Sequence, residues 1–216
     1  MKIVVLDGYT LNPGDLDWGV LDRFGEVTVY NSTKPEEVAA RIGDAEIVFT
    51  NKSLIDAEIL AKCPNVKYIG EMATGYDNVD VEAVRERGIA LTNVPDYGGV
   101  AVAQHTMALL LELSNRTKEM HRRVLDGKWT AETIPEKGLW EMEMTELSGK
   151  TIGFVGYGTI AIYAARMAQA FGMRVLGYSR REREEGRKWG DYVDLDTLLR
   201  ESDVVSLHMP LNEASY

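Results

Sequence analysis

The sequence contains a single cysteine, Cys63, among its 216 residues. A lone cysteine cannot form an internal disulfide bond, so we expect a protein of a reducing compartment, the cytoplasm. The sequence also lacks an apolar run of the ~18–20 residues that a membrane-spanning helix needs. Its first apolar stretch ends at Asp7 without a small-residue cleavage site, and it is predicted to be a β-strand and not a signal peptide.

Basic residues are also in deficit. The chain has 24 Lys and Arg against 34 Asp and Glu, which gives a formal net charge of −10. Because phosphate backbones and anionic lipids need a positive field, neither nucleic acid nor a membrane is an expected partner. The sequence has three histidines and no Cys/His cluster with metal-ligand spacing, and it has no G-x-S-x-G turn. No metal site is therefore expected, and acyl transfer has no support.

The first hundred residues alternate short apolar runs with helical stretches. The apolar runs predict parallel strands at residues 2–7, 26–30, 45–50, 66–70 and 89–93. Helical patterns lie between them, beginning at Pro35 and covering residues 55–62 and 79–87. This alternation predicts an α/β domain with one parallel, flavodoxin-like sheet over residues 1–99.

A long helical pattern follows this domain. Residues 100–126 carry apolar side chains at helical spacing, and the pattern stops at Gly127. One helix of roughly 40 Å is predicted, long enough to bridge two domains or to pack on a partner subunit. Residues 127–147 show no sustained periodicity, and we expect an irregular arm there.

A glycine-rich turn gives the strongest chemical signal. A buried strand at residues 151–155 leads into a turn with Gly156 and Gly158, an apolar helix at residues 159–171 and another strand at residues 174–178. This order is the fingerprint of dinucleotide binding. Gly156 would permit the turn, and Gly158 would let the backbone touch a pyrophosphate at the helix N-terminus. A glycine-rich turn in some other α/β sheet is the alternative interpretation.

The end of the second strand of this unit bears on the choice of cofactor. An acidic residue there would accept the ribose hydroxyls of NAD. The sequence instead has Ser179, Arg180 and Arg181, a hydroxyl and two guanidinium groups that would hold the 2′-phosphate of NADP. We therefore expect NADP or NAD, with NADP favoured. The alternative is that residues 180–188 form a solvated charge run and that NAD binds without its usual acid.

The sequence resembles the D-isomer-specific 2-hydroxyacid dehydrogenases, especially their glycerate dehydrogenase and hydroxypyruvate reductase branch. The segments that carry the resemblance are ATGYDNVD (residues 73–80) and the segments at residues 92–113, 147–161 and 203–211. The resemblance implies a substrate domain over residues 1–99 and the first part of a Rossmann dinucleotide-binding domain over residues 100–216. It also implies NAD(P)H-dependent reduction of a small 2-keto acid, or the reverse oxidation, in a homodimer formed through the long helix and the arm.

Substrate contacts implied by the resemblance lie in two loops. The loop of Ala73, Thr74 and Gly75 would present backbone N–H groups to the substrate carboxylate, and Thr74 would also touch the cofactor. Asn51 and Lys52 stand where the family places further substrate contacts, and Lys52 could attract an acidic substrate. An ordinary turn glycine at Gly75 and an exposed strand-end lysine at Lys52 are the alternatives.

Cofactor contacts implied by the resemblance extend beyond the glycine turn. The additional positions are Thr159, Ile160, His208, Met209 and Pro210. Three positions depart from the family pattern. Ala161 stands at the third glycine, Thr159 stands where the family often has arginine, and Met209 replaces a frequent small or hydroxyl residue.

The family's catalytic residues have no match in the sequence. An arginine, a glutamate and an acid/base histidine lie beyond the fourth Rossmann strand in that family, and this chain ends near Pro210. We therefore expect a truncated chain with no catalytic residues, inactive alone, with its fourth strand at an open edge. His105 and His121 are expected to be packing or surface residues. The alternative is a non-catalytic truncated paralogue that binds a nucleotide or a partner.

Overall fold

The computed structural model describes residues 1–132 and 143–209. The chain divides into two compact units, Met1–Tyr97 and Gly98–Tyr216. Pro210 and the middle of the predicted arm lie outside the described residues. No helix among those described is long and apolar enough to cross a membrane.

The first unit is built on a five-stranded parallel sheet in the order β2-β1-β3-β4-β5. Its strands are β1 (Lys2–Val5), β2 (Glu26–Val29), β3 (Ile47–Thr50), β4 (Tyr68–Glu71) and β5 (Ala90–Thr92). Each overlaps an apolar run predicted from the sequence, and β4 extends one residue beyond its run, to Glu71; the predicted strands are therefore confirmed. The strand order is that of flavodoxin-like folds, as predicted.

Short helices connect these strands. They are α1 (Val38–Ile42), α2 (Ala57–Lys62) and α3 (Val81–Glu86), with 3₁₀ turns at Gly8–Thr10, Trp18–Phe24 and Pro35–Glu37. The carboxylates of Asp56 and Asp80 cap α2 and α3 by accepting backbone N–H bonds of 2.8 and 3.0 Å. Apolar side chains of α1, α2 and α3 pack on the sheet around Val48 and Ile69, which are fully buried.

The long helix predicted over residues 100–126 is wrong in one respect, because the structure has two helices. They are α4 (Gly99–Asn115) and α5 (Thr117–Leu125), separated at Arg116, whose φ of 50° is left-handed. The Glu112 carboxylate bonds the Thr117 hydroxyl and accepts from the Lys118 N–H at 3.3 Å. A side chain of α4 therefore caps α5, which favours a new helix start over continuation.

The second unit contains a four-stranded parallel sheet in the order β8-β7-β6-β9. Its strands are β6 (Thr151–Val155), β7 (Arg174–Tyr178), β8 (Asp191–Tyr192) and β9 (Val204–Leu207), and its connecting helices are α6 (Thr159–Ala170), α7 (Glu184–Arg187) and α8 (Leu195–Glu201). In chain order this is 3-2-1-4, the order of the first four Rossmann strands. The predicted incomplete Rossmann sheet is confirmed over the described residues.

Helix α6 follows the glycine turn and packs against α4. Ala161, Ala164, Ala165 and Ala168 are fully buried in the same apolar cluster as Met107 of α4. Small side chains on one face of α6 let neighbouring backbone approach closely. Ala161 thus serves the packing role of the third glycine.

Candidate functional site

The turn between β6 and α6 combines a strained position with an open one. Gly156 has a φ of +90°, and a Cβ atom there would lie 2.7 Å from the backbone carbonyl carbon of His208. Gly158 has an ordinary φ of −99°, and a Cβ atom there would meet nothing closer than the Gly156 oxygen at 3.9 Å. Gly156 is therefore required by the fold. Gly158 leaves open space at the start of α6, where backbone N–H groups favour an anion.

Tyr157, between the two glycines, points into the interior and is fully buried. Its ring stacks on Phe154 at 6.0 Å between centroids, and its hydroxyl donates a 3.3 Å hydrogen bond to the Gly186 carbonyl. Burial raises the pKa of the Tyr157 hydroxyl above its ordinary value. A Cβ atom at Gly177 would lie 2.2 Å from the Tyr157 ring. The buried side chain of Tyr157 therefore holds the turn against the interior of the second unit.

Ser179, Arg180 and Arg181 follow β7 beside this turn. The turn is joined to β7 because the Gly156 and Tyr157 N–H groups donate to the Tyr178 carbonyl at 2.9 and 3.0 Å. The Ser179 hydroxyl accepts from the Arg181 N–H at 3.4 Å. The three residues are partly or fully exposed, and no carboxylate occupies this stretch.

Arg183 also reaches the turn. Its Nη1 donates a 2.9 Å hydrogen bond to the hydroxyl of Thr159, the first residue of α6. Thr159 and Ile160 are both partly exposed. Thr159 and Ile160 therefore lie at the start of α6, and the Arg183 side chain contacts the first of them.

His208 and Met209 reach the turn through their backbone, next to Gly156. The His208 ring lies 5.5 Å from that of Phe154, and its Nε2 is 2.9 Å from the Ser206 hydroxyl. Burial lowers the pKa of His208 below its ordinary value, which favours the neutral ring. The His208 ring therefore packs on Phe154 of β6 and is hydrogen-bonded to Ser206 of β9. His105 on α4 and His121 on α5 are exposed.

The loop of Ala73, Thr74 and Gly75 follows β4 in the first unit. It is fixed to the segment after β5, because the Val94 N–H donates to the Ala73 carbonyl at 3.0 Å and the Thr74 hydroxyl donates to the Val94 carbonyl at 2.9 Å. Asn93 adds a 2.8 Å bond to the Thr74 carbonyl. Within residues 1–132 and 143–209, the N–H groups of Thr74 and Gly75 have no hydrogen-bond acceptor. Both residues are exposed.

Asn51 and Lys52 lie in a turn that is held by a buried carboxylate. Asp7, two residues after β1 ends, accepts bonds from the N–H groups of Asn51, Lys52 and Ser53 at 3.1, 3.0 and 3.0 Å. The hydroxyls of Thr50 and Ser53 donate to it at 3.1 and 2.9 Å. Burial alone would raise the pKa of Asp7, but the bonds from the Lys52, Asn51 and Ser53 N–H groups lower it below its ordinary value. Asp7 is therefore an anion around which the turn is formed.

The side chains of Asn51 and Lys52 have different surroundings. The Asn51 amide donates a 2.7 Å bond to the Thr10 hydroxyl, so it also links the turn to the segment after β1. Lys52 is exposed. Of the two, Lys52 has the side chain available to an acidic ligand.

A second buried carboxylate, Glu71, ends β4 immediately before the Ala73 loop. Its Oε2 accepts a 2.9 Å bond from the Asn78 amide, which also donates to the Ser53 carbonyl at 3.1 Å. Its Oε1 is buried without a partner in the described part of the chain. Burial raises the pKa of Glu71, and the charge of Asp7 acts in the same direction. Asn78 thus joins the two loops, and Glu71 contributes a buried, partly unsatisfied acid.

Comparison with known proteins then assigns the family. The family model described as D-isomer specific 2-hydroxyacid dehydrogenase, catalytic domain, matches residues 3–188. The chain belongs to this family. The resemblance seen in the sequence is thereby confirmed, and the family is NAD(P)-dependent.

Several members of the family are similar along most of this chain. Hydroxypyruvate reductase from Blautia hydrogenotrophica is 47% identical over 98% of this chain and 66% of its own length. Glyoxylate reductase from Thermococcus litoralis is 35% identical over 91% of this chain and 61% of its own. A crystal structure of D-lactate dehydrogenase from Aquifex aeolicus with NAD and lactic acid matches with a TM-score of 0.83 at 27% identity, covering 100% of this chain and 62% of that one. The chain thus spans 66% or less of the length of these dehydrogenases.

The family's dinucleotide fits the second unit on one observation, the open space at Gly158. No group of three or more potential metal ligands occurs among the described residues.

Four residues that hold these loops and this turn in place were not predicted from the sequence: Asp7, Glu71, Tyr157 and Arg183. A signal for the first two was present, since each is an acid that directly ends an apolar strand.

Proposed function

We propose that this chain supplies the substrate-binding unit and the ADP-binding half of an NAD(P)-dependent reductase of small 2-keto acids, such as hydroxypyruvate or glyoxylate. The observation that carries the proposal is the open position at Gly158, at the N-terminus of a 12-residue helix. A pyrophosphate placed there would meet backbone N–H groups and the positive end of the helix dipole. The similarity to hydroxypyruvate and glyoxylate reductases supports the substrate class.

Each unit has a binding task in this proposal. The N–H groups of Thr74 and Gly75, which have no acceptor in the described part of the chain, hold the substrate carboxylate, because fixed amide dipoles bind an anion without a countercharge. Lys52 attracts the acid, and Asp7 keeps its turn in place. When bound, the reduced nicotinamide supplies the hydride for the keto carbon. The residues of the chain bind and orient the reactants.

NADP is the proposed preferred cofactor. Ser179, Arg180 and Arg181 offer a hydroxyl and two guanidinium groups where NAD-dependent proteins place a carboxylate. Guanidinium groups bind a phosphate through paired N–H donors, whereas a carboxylate would repel it. Tighter binding of NADH than of NADPH would contradict this preference.

We further propose that the 216-residue chain alone has no reductase activity. Reduction of a carbonyl needs a proton donor. His105 and His121 are exposed on helices, and His208 is hydrogen-bonded to Ser206, so we propose none of the three as this donor.

The non-catalytic paralogue remains the second candidate, and the open position at Gly158 supports it equally. An in-frame coding continuation with Arg, Glu and His would favour the enzyme fragment, and a stop codon after Tyr216 would favour the paralogue.

Dinucleotide titration tests the proposal. NADPH and NADH fluorescence is followed on addition of the chain and of two matched variants, Gly158→Ala and Gly98→Ala. Both glycines have ordinary φ values and room for a Cβ atom, so both variants should fold as the parent does. Gly158→Ala should bind at least about ten-fold more weakly, because the methyl group occupies the pyrophosphate position. Gly98→Ala should bind unchanged.

Two results would contradict the proposal. If neither dinucleotide binds the parent chain, or if Gly158→Ala binds as tightly as Gly98→Ala, the turn is not a cofactor site. Turnover of hydroxypyruvate with NADPH at about 1 s⁻¹ or faster by the purified chain would contradict the proposed inactivity.

A homodimer and a cytoplasmic location are also proposed. Helices α4 and α5 expose large apolar side chains, including Leu109, Leu113 and Leu125, which are 54%, 77% and 74% exposed. Exposed apolar side chains on neighbouring helices are typical of a protein–protein interface. Light scattering of the purified chain should give twice the monomer mass, and Leu113→Asp should reduce it to the monomer. A monomeric parent would contradict the dimer.

A further inference from the structure

The glycine turn has no cation of its own. Residues 156–162 contain no charged side chain, and α6 begins with the neutral Thr159. A guanidinium reaches this position from the connection after β7, where Arg183 donates its 2.9 Å bond to the Thr159 hydroxyl. We propose that Arg183 binds the cofactor pyrophosphate and supplies the positive charge that the turn lacks. This inference rests on the proposed dinucleotide function.

Two tyrosines hold Arg183 near the turn. The Arg183 N–H donates a 2.9 Å bond to the Tyr192 hydroxyl. The Tyr192 ring packs edge-on against Tyr157 at 5.2 Å between centroids, and Tyr157 lies inside the turn itself. The Tyr157 hydroxyl also bonds Gly186, three residues beyond Arg183. The segment that carries Arg183 is therefore attached to the turn, which reduces the ordering cost when a ligand binds.

The neighbouring charges leave Arg183 available for an anion. Arg187 pairs with Glu182, and Lys188 pairs with Glu185 at 2.7 Å. In contrast, no carboxylate pairs with Arg183 within residues 1–132 and 143–209. A guanidinium has five N–H donors, and the bond to Thr159 uses one of them. Its other donors have no partner among the residues that the structure describes, and they could form charge-assisted bonds with phosphate oxygens.

The position of Arg183 distinguishes its role from that of the residues after β7. The pyrophosphate lies at the N-terminus of the phosphate-binding helix, whereas the adenosine ribose lies at the end of the second strand. Arg183 contacts the first residue of α6, whereas Arg180 lies two residues after β7 ends at Tyr178. Arg183 should therefore act on every ligand with a pyrophosphate, whether or not it has a 2′-phosphate.

Calorimetric titration of the full 216-residue chain tests this assignment. The probes are NADH, NADPH and ADP-ribose, which all contain a pyrophosphate and of which NADPH alone has a 2′-phosphate. The variants are Arg183→Gln, Arg180→Gln and the control Arg174→Gln. Arg174 begins β7, at the opposite end of the strand, and pairs with Glu201 at 2.8 Å. All three arginines are exposed, so thermal melting should show that each variant folds.

Arg183→Gln should weaken all three ligands about ten-fold or more, the effect of losing one hydrogen bond to a charged group. Arg180→Gln should weaken NADPH selectively, and Arg174→Gln should bind as the parent does. If Arg183→Gln binds all three as the parent does, or weakens NADPH alone, the pyrophosphate assignment is wrong while the cofactor site stands. If the parent binds none of the probes, the proposed function fails and this inference fails with it.

Discussion

Replacement of Asp7 by asparagine tests how the turn that carries Asn51 and Lys52 is held. Asp7 is 3% exposed and accepts five hydrogen bonds, three of them from backbone N–H groups. Asparagine has the same shape but no charge, and one of its two terminal atoms is a donor. Bonds to a charged acceptor are roughly twice as strong as neutral ones. We expect Asp7→Asn to lower the free energy of unfolding of the first unit by about 2–3 kcal/mol at pH 7.

The loss of stability in Asp7→Asn should depend on pH. The folded-state pKa of Asp7 is lowered, so its stabilisation is complete above the ordinary value of about 3.9 and is lost as the pH falls through the folded value. The stability difference between the parent and Asp7→Asn should therefore be constant from about pH 7 to pH 5 and shrink below about pH 4. Urea unfolding of both proteins at several pH values measures this difference in the free energy of unfolding.

The matched control is Asp15→Asn, an exposed acid in the same unit. It should change the free energy of unfolding by less than about 0.5 kcal/mol at every pH. Hydrogen exchange should also show faster exchange of the Asn51, Lys52 and Ser53 amides in Asp7→Asn alone. Equal unfolding curves for the two variants across the pH range would refute the assignment of Asp7 as the anionic centre of the turn.

Two further predictions concern buried polar groups. Glu71→Gln should stabilise the first unit by about 1–2 kcal/mol at pH 8, since it removes the charge of a buried acid whose Oε1 has no partner among the described residues. The pKa of Glu71 is raised, so the parent loses stability as the pH rises, and the advantage of Glu71→Gln in urea unfolding should disappear near pH 4; a destabilised variant at pH 8 would contradict this. Tyr157→Phe should lower the free energy of unfolding of the second unit by about 1 kcal/mol through loss of the bond to Gly186, and it should weaken NADPH binding less than Gly158→Ala does. A loss of affinity as large as that of Gly158→Ala would show that the Tyr157 hydroxyl does more than anchor the turn.

Local patterns in the sequence predicted the strands well, for a physical reason. The central strands β1, β3 and β4 are largely apolar runs that their neighbours bury, so the composition of each segment is enough to predict a strand. The edge strands β2 and β5 are only partly buried. The helical period of residues 100–126 predicted the apolar faces of α4 and α5 but not the break between them. That break depends on the Glu112 side chain capping the next helix at Thr117 and Lys118, a contact that periodicity does not detect.

Contacts between distant segments account for what the sequence did not predict at the site. The glycine pattern identified the turn, because φ and open space are properties of the glycines themselves. Arg183 looked like one charge among several in residues 180–188. Its distinction comes from a bond to Thr159, 24 residues earlier, and from ion pairs that neutralise its neighbours. Asp7 and Glu71 gain their roles in the same way, from loops on other strands.

The amide of Asn78 has a consequence for anyone redesigning substrate choice. The Asn78 amide donates to both Glu71 and the Ser53 carbonyl. It therefore links the segment at residues 73–78 to the turn at residues 51–53. Transplanting residues 73–78 from a family member without an amide at position 78 would remove the bond between this loop and the Ser53 carbonyl, while Asp7 would still hold residues 51–53. A graft that keeps this link therefore has to exchange both segments together. It also has to keep Asp7 and Glu71, because their carboxylates accept hydrogen bonds from the two segments.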